Sequence, residues 1–176
     1  STYTYLLVDK KTREAVIIDP VIETVERDLQ LLSELNAKLK YVLDTHVHAD
    51  HITAAGKIRE KTGAKTVVSR AAQVECVDVP ADDKDVLKFG EHSIQILQTP
   101  GHTDGCLSFL IDDAVFTGDS LMIRANGRTD FQQGSSETLY HSITEKLFSL
   151  PDETLVYPGH DYRGQTVTTI GLEKKY

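Results

Sequence analysis

Five of the seven histidines of this 176-residue chain fall in three short segments, each directly after a run that reads as a β-strand. The segments are His46-Val47-His48-Ala49-Asp50-His51, Thr99-Pro100-Gly101-His102 and Tyr157-Pro158-Gly159-His160. A fourth strand end, Thr117-Gly118-Asp119, adds a carboxylate. Imidazoles and carboxylates converging on one point make a metal site, and strand ends fixed by a sheet can hold them there. In the first segment, alternation turns His46 and His48 to related directions, and the turn into the next helix swings Asp50 and His51 toward a neighbouring position. The two Pro-Gly-His tripeptides share a device: proline stiffens the loop, glycine permits a tight path, and the histidine leaves at a defined angle. Any one of these histidines is explained as an ordinary loop residue. Together they are not, because four acidic or imidazole groups within six residues repel one another when partly buried unless a cation or hydrogen bonds compensate. His92 and His141 read as a hairpin-turn residue and a helix-face residue. Cys76 and Cys106 read as structural, with no base placed beside either thiol.

The elements that must position these groups alternate along the chain. Thr4–Val8 and Ala15–Ile18 are β-branched and aromatic runs around a charged turn, and read as a hairpin. Val25, Leu29 and Leu32 recur at helical spacing, with Glu23 and Glu26 near the start where the helix dipole favours them. Tyr41–Leu43 is a buried strand entering the histidine-rich segment, and Ile52–Lys61 reads as a helix ended by Gly63. Thr66–Val68 predicts a short strand, followed by a polar, acidic stretch over 78–85. Val86–Phe89 and Ser93–Leu97 flank a turn at Gly90-Glu91-His92. Leu107–Ile111 and Ala114–Phe116 are two more strands. Ser136 caps a helix with Leu139, Ile143 and Leu147 on one face, and Thr154–Tyr157 is a last strand. This pattern predicts an α+β protein with two sheets between helical layers, and periodicity alone leaves other antiparallel α+β packings open.

Composition narrows the function classes. Length predicts one domain over 1–176, and 40% hydrophobic with 26% charged residues suits a globular protein. A formal net charge of −8 opposes non-specific nucleic-acid binding, which needs Lys and Arg on phosphates. No apolar run approaches the roughly 20 residues of a membrane span, so no membrane partner is expected. Two cysteines without Cys-x-x-Cys spacing favour a reducing cytoplasm, or an organelle matrix such as that of mitochondria.

The ordered set Thr-His-x-His-x-Asp-His, Gly-His-Thr, Gly-Asp and Gly-His resembles the signature of the metallo-β-lactamase superfamily over nearly the whole chain. That resemblance implies a four-layer αββα sandwich with the metal at one edge of the two sheets. The superfamily includes zinc β-lactamases, glyoxalase II thioesterases, ribonucleases, flavodiiron proteins and persulfide dioxygenases, and fold alone does not choose among them. Within it, Gly127-Arg128-Thr129-Asp130-Phe131-Gln132, the opening Ser1-Thr2-Tyr3-Thr4-Tyr5 and His160-Asp161-Tyr162 look like the persulfide dioxygenase group. Glyoxalase II enzymes usually carry a Gly-Cys-Gly-Arg run here and a helical substrate domain after the core.

For that group, the resemblance implies one Fe(II) per chain on His46, His102 and Asp119, a facial arrangement that leaves open positions. His48, Asp50, His51 and His160 then stand around the centre, and by residue type they can equally hold a second metal, giving two Zn(II). The implied reaction oxidises glutathione persulfide with O2 and water to sulfite and glutathione. The alternative is a dinuclear zinc thioesterase hydrolysing S-lactoylglutathione. Arg128 is the local candidate for gripping a glutathione carboxylate, with a salt bridge to Asp130 as its bland alternative. Tyr162 is a candidate for binding substrate or orienting the site, against a plain half-buried aromatic. The resemblance also leaves room for a homodimer and for a functional link to a rhodanese. Family chains generally continue past the Thr-Ile-Gly segment into a stretch holding a second substrate arginine, so the expectation is of a chain that starts within the first strand and lacks part of the family's C-terminal segment.

Overall fold

The computed structural model describes residues 2–176, and Ser1 of the opening segment lies outside them. In order, the chain forms β1 (Tyr5–Val8), β2 (Glu14–Ile18), α1 (Val25–Glu34), β3 (Lys38–Leu43), α2 (Ala55–Thr62), β4 (Lys65–Ser69) and β5 (Val79–Ala81). It continues through β6 (Val86–Phe89), β7 (His92–Gln98), β8 (Leu107–Ile111), β9 (Ala114–Gly118), α3 (Ser136–His141), β10 (Leu155–Pro158), β11 (Thr168–Thr169) and α4 (Ile170–Glu173).

The strands make two sheets, ordered β1-β2-β3-β4-β5 and β11-β10-β9-β8-β7-β6. In the first, β1 and β2 form the expected antiparallel hairpin, with Tyr5 opposite Ile18, and β2 through β5 run parallel. Side chains alternate across each strand. Val16, Ile18, Leu43 and Val67 therefore point inward against Phe89, Ile94, Ile96, Leu107 and Phe109 of the second sheet. Ile17 and Val42 point outward and are covered by Val25 of α1 and Ile58 of α2. On the far side, Val115 and Val156 are covered by Leu121, Leu147 and Ile170. Each of these large buried side chains contributes about 1.5–3 kcal/mol relative to exposure. The result is the helix–sheet–sheet–helix order of an αββα sandwich.

Several boundaries differ from those expected. The helix after the histidine-rich segment starts at Ala55 rather than Ile52, because residues 52–54 pair backward: Ile22 N–H donates to Ile52 O and Ala54 N–H to Pro20 O. The acidic stretch 78–85 contains β5, an edge strand tolerating Pro80 because no second neighbour needs its missing N–H. His92 belongs to β7 rather than to the turn. Its Nε2 lies 3.2 Å from Asp9 and its Nδ1 2.7 Å from Asp112, so it ties three strand turns together. Ser135, not Ser136, caps α3, accepting from Thr138 N–H. The helix is also not continuous to Leu147: a π-turn over 142–146 and a 3-10 turn over 147–149 re-aim Leu147 into the outer core. The first strand begins at Tyr5, after an isolated bridge between Thr2 and His160. Cys106 is buried, while Cys76 is exposed and so packs in no core.

Candidate metal centre

Each ligand-bearing loop leaves a strand at the same edge of the sandwich. The first sheet supplies the loop after β3, and the second supplies those after β7, β9 and β10. The loop after β3 is fixed from both sides. Asp44 N–H donates to Val67 O at 3.1 Å within its own sheet, and Leu107 N–H of β8 donates to Thr45 O at 2.7 Å across the sandwich.

Beneath this loop lies Asp19, whose carboxylate sequence reasoning did not single out. Its Oδ1 accepts from Thr45 N–H at 2.8 Å and lies 3.1 Å from His48 Nε2, and its Oδ2 accepts from Thr45 Oγ1–H at 2.8 Å. Thr45 Oγ1 in turn stands 3.0 Å from His46 Nδ1. The hydroxyl spends its proton on Asp19, so it accepts from His46 Nδ1–H and leaves the Nε2 lone pair facing the centre. Gly118 makes room for this chain: with φ of 52°, its missing Cβ would sit 2.5 Å from Thr45 Oγ1. The signal for Asp19 was available, since it ends a buried strand just before Pro20, the same kind of strand-end position as Asp119.

His102 is oriented in the same way, its Nδ1–H donating to Arg128 O at 2.7 Å. Its loop bends at Gly101, φ 139°, where a Cβ would fall 2.3 Å from Leu139 Cβ and 2.4 Å from Leu139 N. Asp119 lies among the imidazoles. Its Oδ2 is 3.8 Å from His46 Nε2, 3.5 Å from His102 Nε2 and 3.4 Å from His160 Nε2. His46, His102 and Asp119 each offer a ligand atom within 4.8 Å of the others, and so, separately, do His48, Asp50 and His51. His160 Nε2 also stands 3.5 Å from Asp50, which joins the two groups. The structure thus brings together all seven candidate ligands expected from the sequence.

The electrostatics of His46 and Asp119 match ligands rather than loose polar residues. Burial, reinforced by the charge of His48, pushes His46 down to about 4, so its imidazole is neutral at pH 7. Burial opposes ionisation of Asp119, but the hydrogen bond from His160 and the charges of His46, His160 and His102 outweigh it and hold the carboxyl below its ordinary range. Burial would likewise lower His48, yet the hydrogen bond and charge of Asp19 hold it up at about 9. Asp119 Oδ1, His48 Nδ1 and His51 Nε2 are buried without a hydrogen-bond partner. Each such orphan costs about 1–3 kcal/mol, a penalty that a coordinated cation removes. The donor set therefore fits a metal ion.

A cleft of about 650 Å3 opens over the centre, lined by His46, His102, Asp119, Arg128, Phe131 and Tyr162 among others. Tyr162 is exposed and stacks on His160 at 6.3 Å, with 8° between the rings. Arg128 holds Asp130 in a two-pronged pair, Nε to Oδ1 at 2.8 Å and Nη2 to Oδ2 at 3.0 Å. Gln132, the end of the 127–132 segment, also lines the cleft, as do Met122 and Asn126, which were given no role from the sequence.

Residues 1–160 match the family model described as the metallo-beta-lactamase superfamily. The chain belongs to that superfamily. It is 51% identical over 176 residues to the bovine protein "Persulfide dioxygenase ETHE1, mitochondrial", covering 98% of this chain and 69% of that protein. The human protein of the same name is 49% identical over the same shares. Among solved structures, ETHE1 from Myxococcus xanthus superposes with a TM-score of 0.97 and 56% identity, covering 99% of this chain and 77% of that one. A metallo-β-lactamase fold with this donor set has a metal cofactor, and close relatives at about half identity make this superfamily member an oxidoreductase.

Proposed function

We propose that the protein is a persulfide dioxygenase with one Fe(II) on His46, His102 and Asp119, acting as a single domain on glutathione persulfide with O2 and water to give sulfite and glutathione. The observation that carries this reading is the identity of about half, over 98% of the chain, to proteins named persulfide dioxygenases. A set of two imidazoles and one carboxylate agrees with it, since such a set would leave coordination positions open to oxygen and a soft sulfur. The residues of the chain prepare the site. Thr45 and the Arg128 carbonyl hold His46 and His102 as tautomers with Nε2 free, and the low value of His46 spares it a proton to lose at neutral pH. Arg128 offers its guanidinium to a substrate carboxylate, and Tyr162 walls the mouth of the cleft. The exposed Cys76 and buried Cys106 are both unpaired, which suits a reducing compartment such as the cytoplasm.

A second reading is a dinuclear zinc thioesterase, favoured by one observation: the unpartnered His48 Nδ1 and His51 Nε2 stand beside Asp50 and can receive a second ion. Metal analysis with an oxygen-electrode assay separates the two. One iron per chain and oxygen uptake dependent on glutathione persulfide support the dioxygenase. Two zinc ions with hydrolysis of S-lactoylglutathione refute it. His102→Ala is expected to remove the ion held by His46, His102 and Asp119 under either reading.

A further inference from the structure

Arg128 is the only Lys or Arg lining the cleft above the metal centre among the described residues, and the carboxylate that holds it belongs to the chain itself. Asp130 meets the guanidinium by the same two-oxygen geometry that a substrate carboxylate would use. Both side chains are open to solvent, at 65% and 71% exposure, so the pair can part and re-form without disturbing the core. Phe131 lies beneath the guanidinium, 5.7 Å from its carbon to the ring centre, and gives it a second resting surface. The backbone of Arg128 is not free in this way: its carbonyl accepts from His102 Nδ1–H at 2.7 Å, and Gly127 N–H donates to Asp119 O at 2.7 Å. The side chain can therefore change partner while the backbone keeps the His102 ligand in place.

We propose that Asp130 is an internal competitor that tunes substrate affinity: its carboxylate occupies Arg128 until a ligand carboxylate displaces it, so that thiols and persulfides bearing a carboxylate bind more weakly than an unoccupied Arg128 would allow. This rests on the assignment of Arg128 to substrate binding made above. Displacement exchanges one carboxylate for another on the same fork. Asp130 thus weakens each carboxylate-bearing ligand by the strength of its own pair, and leaves unaffected a ligand without a carboxylate, which has no need to open it.

The test is calorimetric titration of the metal-loaded protein with reduced glutathione and with its diethyl ester, which has no free carboxylate. D130N is expected to tighten glutathione binding by about two- to five-fold, the range an exposed ion pair allows, and to leave the diester unchanged. In R128Q/D130N the gain disappears, whereas a general effect of removing one negative charge would persist there. Metal content stays at the wild-type level in D130N, because the Arg128 carbonyl is untouched. If D130N leaves glutathione binding unchanged or weaker while R128Q weakens it, Asp130 serves to position Arg128 and the displacement idea is wrong. If R128Q itself leaves glutathione binding unchanged, the assignment of Arg128 fails, and the inference with it.

Discussion

Replacing Thr45 by valine probes the centre without touching a ligand. Valine keeps the shape and the backbone N–H that Asp19 Oδ1 accepts, but deletes the hydroxyl at 2.8 Å from Asp19 Oδ2 and 3.0 Å from His46 Nδ1. Asp19 is 1% exposed, so water does not replace the lost donor. A hydrogen bond to a buried charged acceptor is worth about 1.5–3 kcal/mol, and Asp19 keeps its other partners, so about 2 kcal/mol of stability is lost. For a chain of this size that lowers Tm by ~4–8 °C. His46 also loses the acceptor that fixes its tautomer, which lowers metal affinity by about 10- to 100-fold. Thermal unfolding of the metal-free protein reads the first effect, and competition with a chromophoric chelator reads the second. Thr45→Ser restores both by returning the hydroxyl. A Thr45→Val protein with wild-type Tm and metal affinity would show that the Asp19–Thr45–His46 chain does not orient the ligand.

Three other perturbations have defined outcomes. Gly101→Ala drives a Cβ into the backbone of Leu139 at 2.4 Å, and is expected to cost more than ~3 kcal/mol with loss of metal, read by chemical denaturation and metal content. Gly56→Ala, within α2 and with nothing inside 4 Å of the added Cβ, is expected to raise stability by about 0.5–1 kcal/mol in the same denaturation assay. Asp9 is held at about 2, below its ordinary 3.8, chiefly by the backbone N–H groups of Thr12 and Glu91. A depressed carboxyl stabilises above its unfolded value and loses that contribution as pH falls through the folded one. The stability advantage of wild type over Asp9→Asn is therefore expected to shrink between pH 4 and 2, followed by denaturation across that window.

The convergence of the candidate ligands was legible because each follows a strand, and strands rich in valine and isoleucine announce themselves by composition. The sandwich itself was less legible: alternation shows that a strand has two faces, but not which other strand covers each. β5 was hidden because Pro80 and the surrounding aspartates read as loop, although an edge position tolerates both. β11, two residues long, is too short for any period to show. The break after α3 was invisible because Leu139, Ile143 and Leu147 keep helical spacing across a π-turn that shifts their direction. Arg128 and its salt bridge to Asp130 were both anticipated from the sequence, whereas the two-pronged geometry of that pair depends on rotamers, which no pattern records.

The parentage of the candidate ligands has a mechanical consequence. His46 to His51 ride on the first sheet, and His102, Asp119 and His160 on the second. The candidate centre of His46, His102 and Asp119 belongs to neither half alone, and an ion bound there would act as a rivet through both. A chain nicked between β5 and β6 would give two fragments, each with a sheet to fold and an incomplete set of donors. Their reunion would be tuned by metal concentration, and the rate at which the ion escapes would measure how often the two halves part.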